Sequence, residues 1–193
     1  MFVLVGGTRT NATFIDALRH RTQGAISADT GHIATHEAGA IEAGGHKVLA
    51  IPHTLGKIDA EGVRSYCAWF FGDANHEHMV EPGVVYLSYP TEYGTIYTKD
   101  ELEAIAPVCR EYHLPLFIDG ARMGYGLAAA GADLTLPDIA RLCDVFPIRA
   151  PKAGALFGEA VVFPKPGLAH PFFTPIQTHA PPPAKGRPLG LPL

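Results

Sequence analysis

Leu116-Phe117-Ile118-Asp119-Gly120-Ala121-Arg122 decides how the rest of the chain is read. Three apolar residues run into an aspartate and then a glycine, the pattern of a buried strand delivering a carboxylate to its carboxyl edge. In an open α/β sheet, ligands bind at that edge. Outward from this segment, apolar bursts alternate with stretches of helical spacing. Further strands are expected at residues 2–5, 25–28, 48–51, 84–87, 145–148 and 156–163, with Pro147 counting against the sixth of the seven. Helices are expected at 11–20, 35–43, 59–71 and 99–112, the last entered through Thr98 as N-cap, and two more between 122 and 143. Strands separated by helices of this length need right-handed crossovers. The expected fold is therefore α/β, a mostly parallel sheet with helices on both faces.

With 193 residues, the chain is long enough for one core, and its 47% hydrophobic and 18% charged residues are ordinary for a globular protein. A net charge of −4 without a basic run excludes a nucleic-acid surface. Cys67, Cys109 and Cys143 are far apart and form no metal-type pair, so a reducing, cytoplasmic setting is expected, with no metal. The opening Met1-Phe2-Val3-Leu4-Val5-Gly6-Gly7 has the marks of neither a signal peptide nor a membrane span, and it begins directly on a core strand. Nine of the 17 prolines fall in residues 164–193. Proline has no N–H and blocks helix interiors and central strands, so residues 1–163 are expected to form the domain and 164–193 an extended or disordered tail.

Several segments carry chemistry. Gly6-Gly7-Thr8-Arg9-Thr10-Asn11 joins a strand to a helix; it is either a phosphate cradle at a helix N-terminus or a plain turn. It lacks the Walker and Gly-x-Gly-x-x-Gly patterns, which counts against a nucleotide-binding domain. His32, with His36 and Glu37 close behind, is a capping or surface histidine, or an imidazole lying on a cofactor ring. Asp73, His76, Glu77 and His78 are expected in a solvated loop. Ser88-Tyr89-Pro90-Thr91-Glu92-Tyr93-Gly94-Thr95 follows a strand and is a substrate contact or a turn. Arg122 is placed to pair with Asp119, with an anionic substrate group, or with solvent. Lys152, flanked by Pro151 and Ala153-Gly154-Ala155, lies past another strand end. A strand-end carboxylate and a reachable lysine suit pyridoxal 5'-phosphate (PLP): the acid partners the pyridine nitrogen, and the amine forms the Schiff base.

With these segments in order, the chain resembles the threonine aldolase and aromatic amino acid β-eliminating lyase family, PLP enzymes of the aspartate aminotransferase-like fold. The matching stretches are residues 4–11, Thr30-Gly31-His32-Ile33-Ala34-Thr35-His36-Glu37, residues 90–95, Asp119-Gly120-Ala121-Arg122 and residues 152–158. The resemblance implies that Gly7, Thr8 and Arg9 hold the phosphate, His32 stacks on the ring, Asp119 pairs with its nitrogen and Lys152 carries the cofactor. It puts Arg122 close to cofactor or substrate. It implies retro-aldol cleavage of L-threonine or related β-hydroxy-α-amino acids to glycine and an aldehyde, in a homo-oligomer. The chain departs from the family in lacking the segment before the glycine turn and the small domain after residue 163, which predicts weakened assembly. Where the family pattern is Gly-Gly-Thr-Lys, it has Arg149-Ala150-Pro151-Lys152. An impaired piece that at most binds PLP or pairs with a full-length subunit is the alternative.

Overall fold

The computed structural model describes residues 2–4, 6–18, 20–154, 158–168, 172 and 174–176. The chain runs β1 (Phe2–Leu4), α1 (Gly7–Leu18), β2 (Gln23–Ala28), α2 (His32–Thr35), α3 (Ala40–Ala43), β3 (Val48–Ile51), α4 (Ala60–Gly72), β4 (Glu81–Ser88), α5 (Lys99–Glu111), β5 (Leu116–Asp119), α6 (Met123–Leu127), α7 (Leu136–Leu142), β6 (Phe146–Arg149) and β7 (Glu159–Val162).

Two strand groups merge into one sheet. The parallel group is ordered β3-β2-β4-β5 and the other β1-β7-β6. Parallel bridges Phe117–Val145 and Gly120–Ile148 join β5 to β6, giving β3-β2-β4-β5-β6-β7-β1. Among the described strands only β7 runs against its neighbours. The expected mostly parallel sheet is thus observed, with strand direction reversed at one place. Pro147 sits inside β6, opposite Val161, and the missing N–H is tolerated while Ile148 and Arg149 continue the pairing.

The central strands are buried on both faces, as βαβ crossovers require. One face packs Ile26, Leu49, Val85, Leu87, Leu116 and Ile118 against α4, α5 and α7. The other packs Ala25, Val84, Tyr86 and Phe117 against Phe14, Ile15, Phe172 and Ile176. Phe172 and Ile176, in the proline-rich stretch, are therefore part of the core; residues 169–171, 173 and 177–193 of the expected tail lie outside the described residues.

The helix expected at 35–43 is instead two short ones. Ala38 and Gly39 adopt positive φ (52° and 71°), and a left-handed residue cannot propagate a right-handed helix. Asp59 caps α4, and Thr98 caps α5 with a full capping box closed by Glu101. Among the described residues no helix is long and apolar enough to cross a membrane.

Candidate active site

The carboxyl ends of β5 and β6 and the start of α1 meet around Asp119. This residue ends β5 and is 2% exposed. A Cβ on the following Gly120 would run into the carbonyl oxygen of Pro147, so glycine lets the chain turn away from β6 there. Asp119 Oδ2 accepts three hydrogen bonds: from the Tyr86 hydroxyl (2.5 Å), Asn11 Nδ2 (2.9 Å) and Arg149 Nη2 (2.8 Å). Oδ1 is buried without a hydrogen bond among the described residues.

Asn11 is the hub. It lies in the second turn of α1 and is fully buried. Its amide also donates to Glu37 Oε1 (2.6 Å), and its oxygen accepts from Arg149 Nη2 (2.7 Å). Glu37 Oε1 in turn lies 2.8 Å from His32 Nδ1. A carboxylate at that distance puts the proton on Nδ1 and leaves Nε2 as an acceptor when the ring is neutral. His32, Glu37, Asn11, Asp119 and Arg149 therefore form one connected network, drawn from α2, α1, β5, β6 and the turn after α2.

Arg149, at the end of β6, carries the positive charge of this network. Burial works against its charge, yet Asp119 and then Glu159 outweigh burial and hold the guanidinium above its ordinary value. Glu159 Oε2 stands 3.7 Å from Arg149 Nε, an ion pair without a hydrogen bond. Burial raises the Glu159 carboxyl despite that cation, and burial and the Asp119 charge push the Tyr86 hydroxyl well up. Glu37 Oε2, Asp119 Oδ1, Arg149 Nε and Glu159 Oε2 are all buried without hydrogen bonds. Buried polar atoms are normally paired. Four such atoms without a hydrogen bond among the described residues, two of them facing one another as an ion pair, mark a place where a polar ligand belongs.

The residues singled out from sequence are distributed unevenly. Asp119 and His32 belong to the network, and Gly7 borders it, since Arg149 Nη2 reaches its carbonyl oxygen at 3.4 Å. Thr8 and Arg9 lie in the first turn of α1, half-buried and exposed. Lys152 is exposed in the short turn Ala150–Ala153, and Arg122 is exposed at the N-cap of α6. Of the partners considered for Arg122, Asp119 is not the one observed; its cation is Arg149. Ser88 donates to Glu92, and Thr91 and Thr95 both donate to the Leu55 carbonyl, so the loop after β4 is tied to itself and to a neighbouring turn. The polar stretch around His76–His78 is a surface 3-10 turn. Sequence reasoning missed Asn11, Tyr86, Arg149 and Glu159 as site residues. Arg149 left a signal: it is the charged residue ending the apolar run Val145-Phe146-Pro147-Ile148.

Comparisons place this arrangement. The low-specificity L-threonine aldolase of Pseudomonas aeruginosa is 32% identical over 174 residues, 89% of this chain and 49% of that protein. A solved threonine aldolase from Leishmania major is 44% identical with a TM-score of 0.81, covering 90% of this chain and 51% of that one. Aspartate aminotransferase from Thermus thermophilus, 18% identical with a TM-score of 0.68 over 92–93% of this chain and under half of its own, shares the fold. The chain thus spans about half the length of the relatives it matches. The beta-eliminating lyase family model matches residues 1–170. On that match, the network around Asp119 lies in a member of the beta-eliminating lyase family, PLP-dependent lyases that include the threonine aldolases.

Proposed function

We propose that the chain is the cofactor-binding part of a PLP-dependent carbon–carbon lyase of threonine aldolase type. Its substrates would be L-threonine or related β-hydroxy-α-amino acids, cleaved by retro-aldol reaction to glycine and an aldehyde. The observation that supports this best is Asp119, a buried strand-end carboxylate with Oδ2 fixed by three donors and Oδ1 left without one. A buried, unpaired carboxylate oxygen calls for a cationic N–H donor, and a protonated pyridine is one. Arg149 apart, the residues here fit the group. Asp119 would hold the ring nitrogen, Gly7, Thr8 and Arg9 the phosphate at the start of α1, His32 the ring face and Lys152 the aldehyde carbon, with Arg122 near cofactor or substrate. PLP, when bound, supplies an electron sink for the carbanion left as Cα–Cβ breaks.

The chain's own residues do the positioning. Asn11 and Tyr86 fix the plane of the Asp119 carboxylate. Glu37 fixes the His32 ring and its tautomer. Lys152, exposed, presents its amine from the end of β6. The three cysteines are free and buried, in keeping with a cytoplasmic enzyme, and the family resemblance favours a homo-oligomer.

A second reading, an impaired piece that at most binds PLP or pairs with a full-length subunit, is favoured by one observation: Arg149 already neutralises Asp119. Titration of the purified chain with PLP separates the two. The enzyme reading expects an absorption band of bound cofactor that Lys152→Ala abolishes, together with glycine release from L-threonine or L-allo-threonine. A chain without a Lys152-dependent band is not this enzyme. A band without glycine favours the impaired piece.

A further inference from the structure

We propose that Arg149 is a built-in competitor of the cofactor ring: seated on Oδ2 of the carboxylate whose Oδ1 the ring nitrogen needs, it already neutralises that carboxylate and opposes a second cation there. This rests on the reading of Asp119 as the partner of the ring nitrogen.

The course of Arg149 through the site is fixed at both ends. Nη2 is held by Asp119 Oδ2 (2.8 Å) and Asn11 Oδ1 (2.7 Å). Nη1 lies so close to Gly7 that a Cβ there would collide with it. The guanidinium thus bridges the N-terminus of α1, where a phosphate would sit, and the end of β5, where a ring nitrogen would sit. It is only 4% exposed, so no water layer separates it from either.

Charge sharpens the competition. A protonated pyridine brought to Asp119 would meet a second cation already paired with the same carboxylate in a desolvated site, where like charges repel most strongly. Among the described residues Arg149 has an alternative seat in the Glu159 carboxylate, 3.7 Å from Nε, whose Oε2 is buried without a hydrogen bond. Rotation of the guanidinium onto Glu159 would free Asp119, at the cost of its bonds to Asn11 and Asp119.

The test is binding, independent of turnover. PLP and pyridoxine 5'-phosphate, which lacks the aldehyde and so cannot react with Lys152, are titrated into the full chain, Arg149→Gly and Arg149→Gln. Dissociation constants and the ligand-dependent rise in melting temperature are read, with circular dichroism to confirm folding. Arg149→Gly is expected to bind both ligands at least about tenfold more tightly, the size of one modest charge interaction. Arg149→Gln, which is shorter but keeps an amide donor and removes the charge, should fall between. If Arg149→Gly leaves too large a void to fold, the Gln variant decides by the same criterion.

Unchanged or weaker binding in a folded variant overturns the proposal; weaker binding would make Arg149 a phosphate ligand instead. A wild-type Lys152-dependent band with no gain in the variants overturns the competitor and leaves the lyase reading standing. Tighter binding in Arg149→Gly without glycine release from any protein supports the competitor and sinks the lyase reading. No binding by any of the three proteins overturns both.

Discussion

Removing the charge of Asp119 would strand the Arg149 guanidinium in a site that is 4% exposed, with Glu159 at 3.7 Å as its remaining carboxylate. Breaking one partner of a buried pair is costly because the other stays desolvated and unpaired, so Asp119→Asn is expected to lose about 3–5 kcal/mol of stability. Asp119→Asn combined with Arg149→Met removes both charges and should recover part of that loss in urea unfolding, Glu159 being left without its cation. A double variant as unstable as the sum of the singles would mean that the two residues are not coupled. Asn11→Ala is a different case. It removes two donations and one acceptance at once, leaving Glu37, Asp119 and Arg149 each short of a bond, and should cost more than the ~1–3 kcal/mol of a single orphaned buried group.

The elements that position these residues owe their limits to local chemistry, and α5 shows it most plainly. Thr98 Oγ1 accepts from Glu101 N (3.2 Å), and Glu101 Oε2 accepts from Thr98 N (2.8 Å). Glu101 Oε1 also takes Lys57 Nζ at 2.6 Å, tying the helix to the turn after β3. Thr98→Ala should cost about 1 kcal/mol in chemical denaturation, and Glu101→Ala more, since it loses the box and the ion pair together. Equal losses would assign no weight to the Lys57 contact. Elements of this kind were legible in the sequence. The strands at 48–51 and 116–119 coincide with β3 and β5, and the caps Asp59 and Thr98 set the starts of α4 and α5. Three features were not legible. The break between α2 and α3 depends on positive φ at Ala38, which no side-chain pattern announces. The reversal at β7 depends on pairing partners far away in the chain. The inward course of Arg149 depends on the buried carboxylates that receive it, Asp119 and Glu159.

At the scale of the whole molecule, the core protects its acids from alkali. Burial pushes the thiols of Cys67, Cys109 and Cys143 up to about 11, about 12 and about 12, and it raises the hydroxyls of Tyr66, Tyr86, Tyr89 and Tyr97 as well. In the unfolded chain these groups deprotonate at their ordinary values. Their stabilisation is therefore intact below the ordinary thiol range and is lost as pH rises through it toward the folded values. Urea midpoints should fall between pH 8 and 11, each thiol contributing up to about 1.4 kcal/mol per pH unit. At pH 8, a thiol reagent should label none of the three cysteines in the native protein and all of them in denaturant. Prompt labelling of native Cys109 would contradict its burial.

The outermost strand carries a consequence for how the molecule is made. Among the described residues β1 pairs only with β7, Phe2 opposite Val161 and Leu4 opposite Glu159. β1 is therefore made well before β7, and its backbone waits through the synthesis of β2 to β6 before that partner exists. Closing so long a loop costs entropy before any contact repays it. The parallel strands β2 to β5 can assemble in the meantime, leaving Leu4 and Phe14 as exposed apolar surface on a nascent chain, the kind of surface that chaperones bind. Synthesis order and sheet order are opposed at this edge, and β7 is the strand that reconciles them.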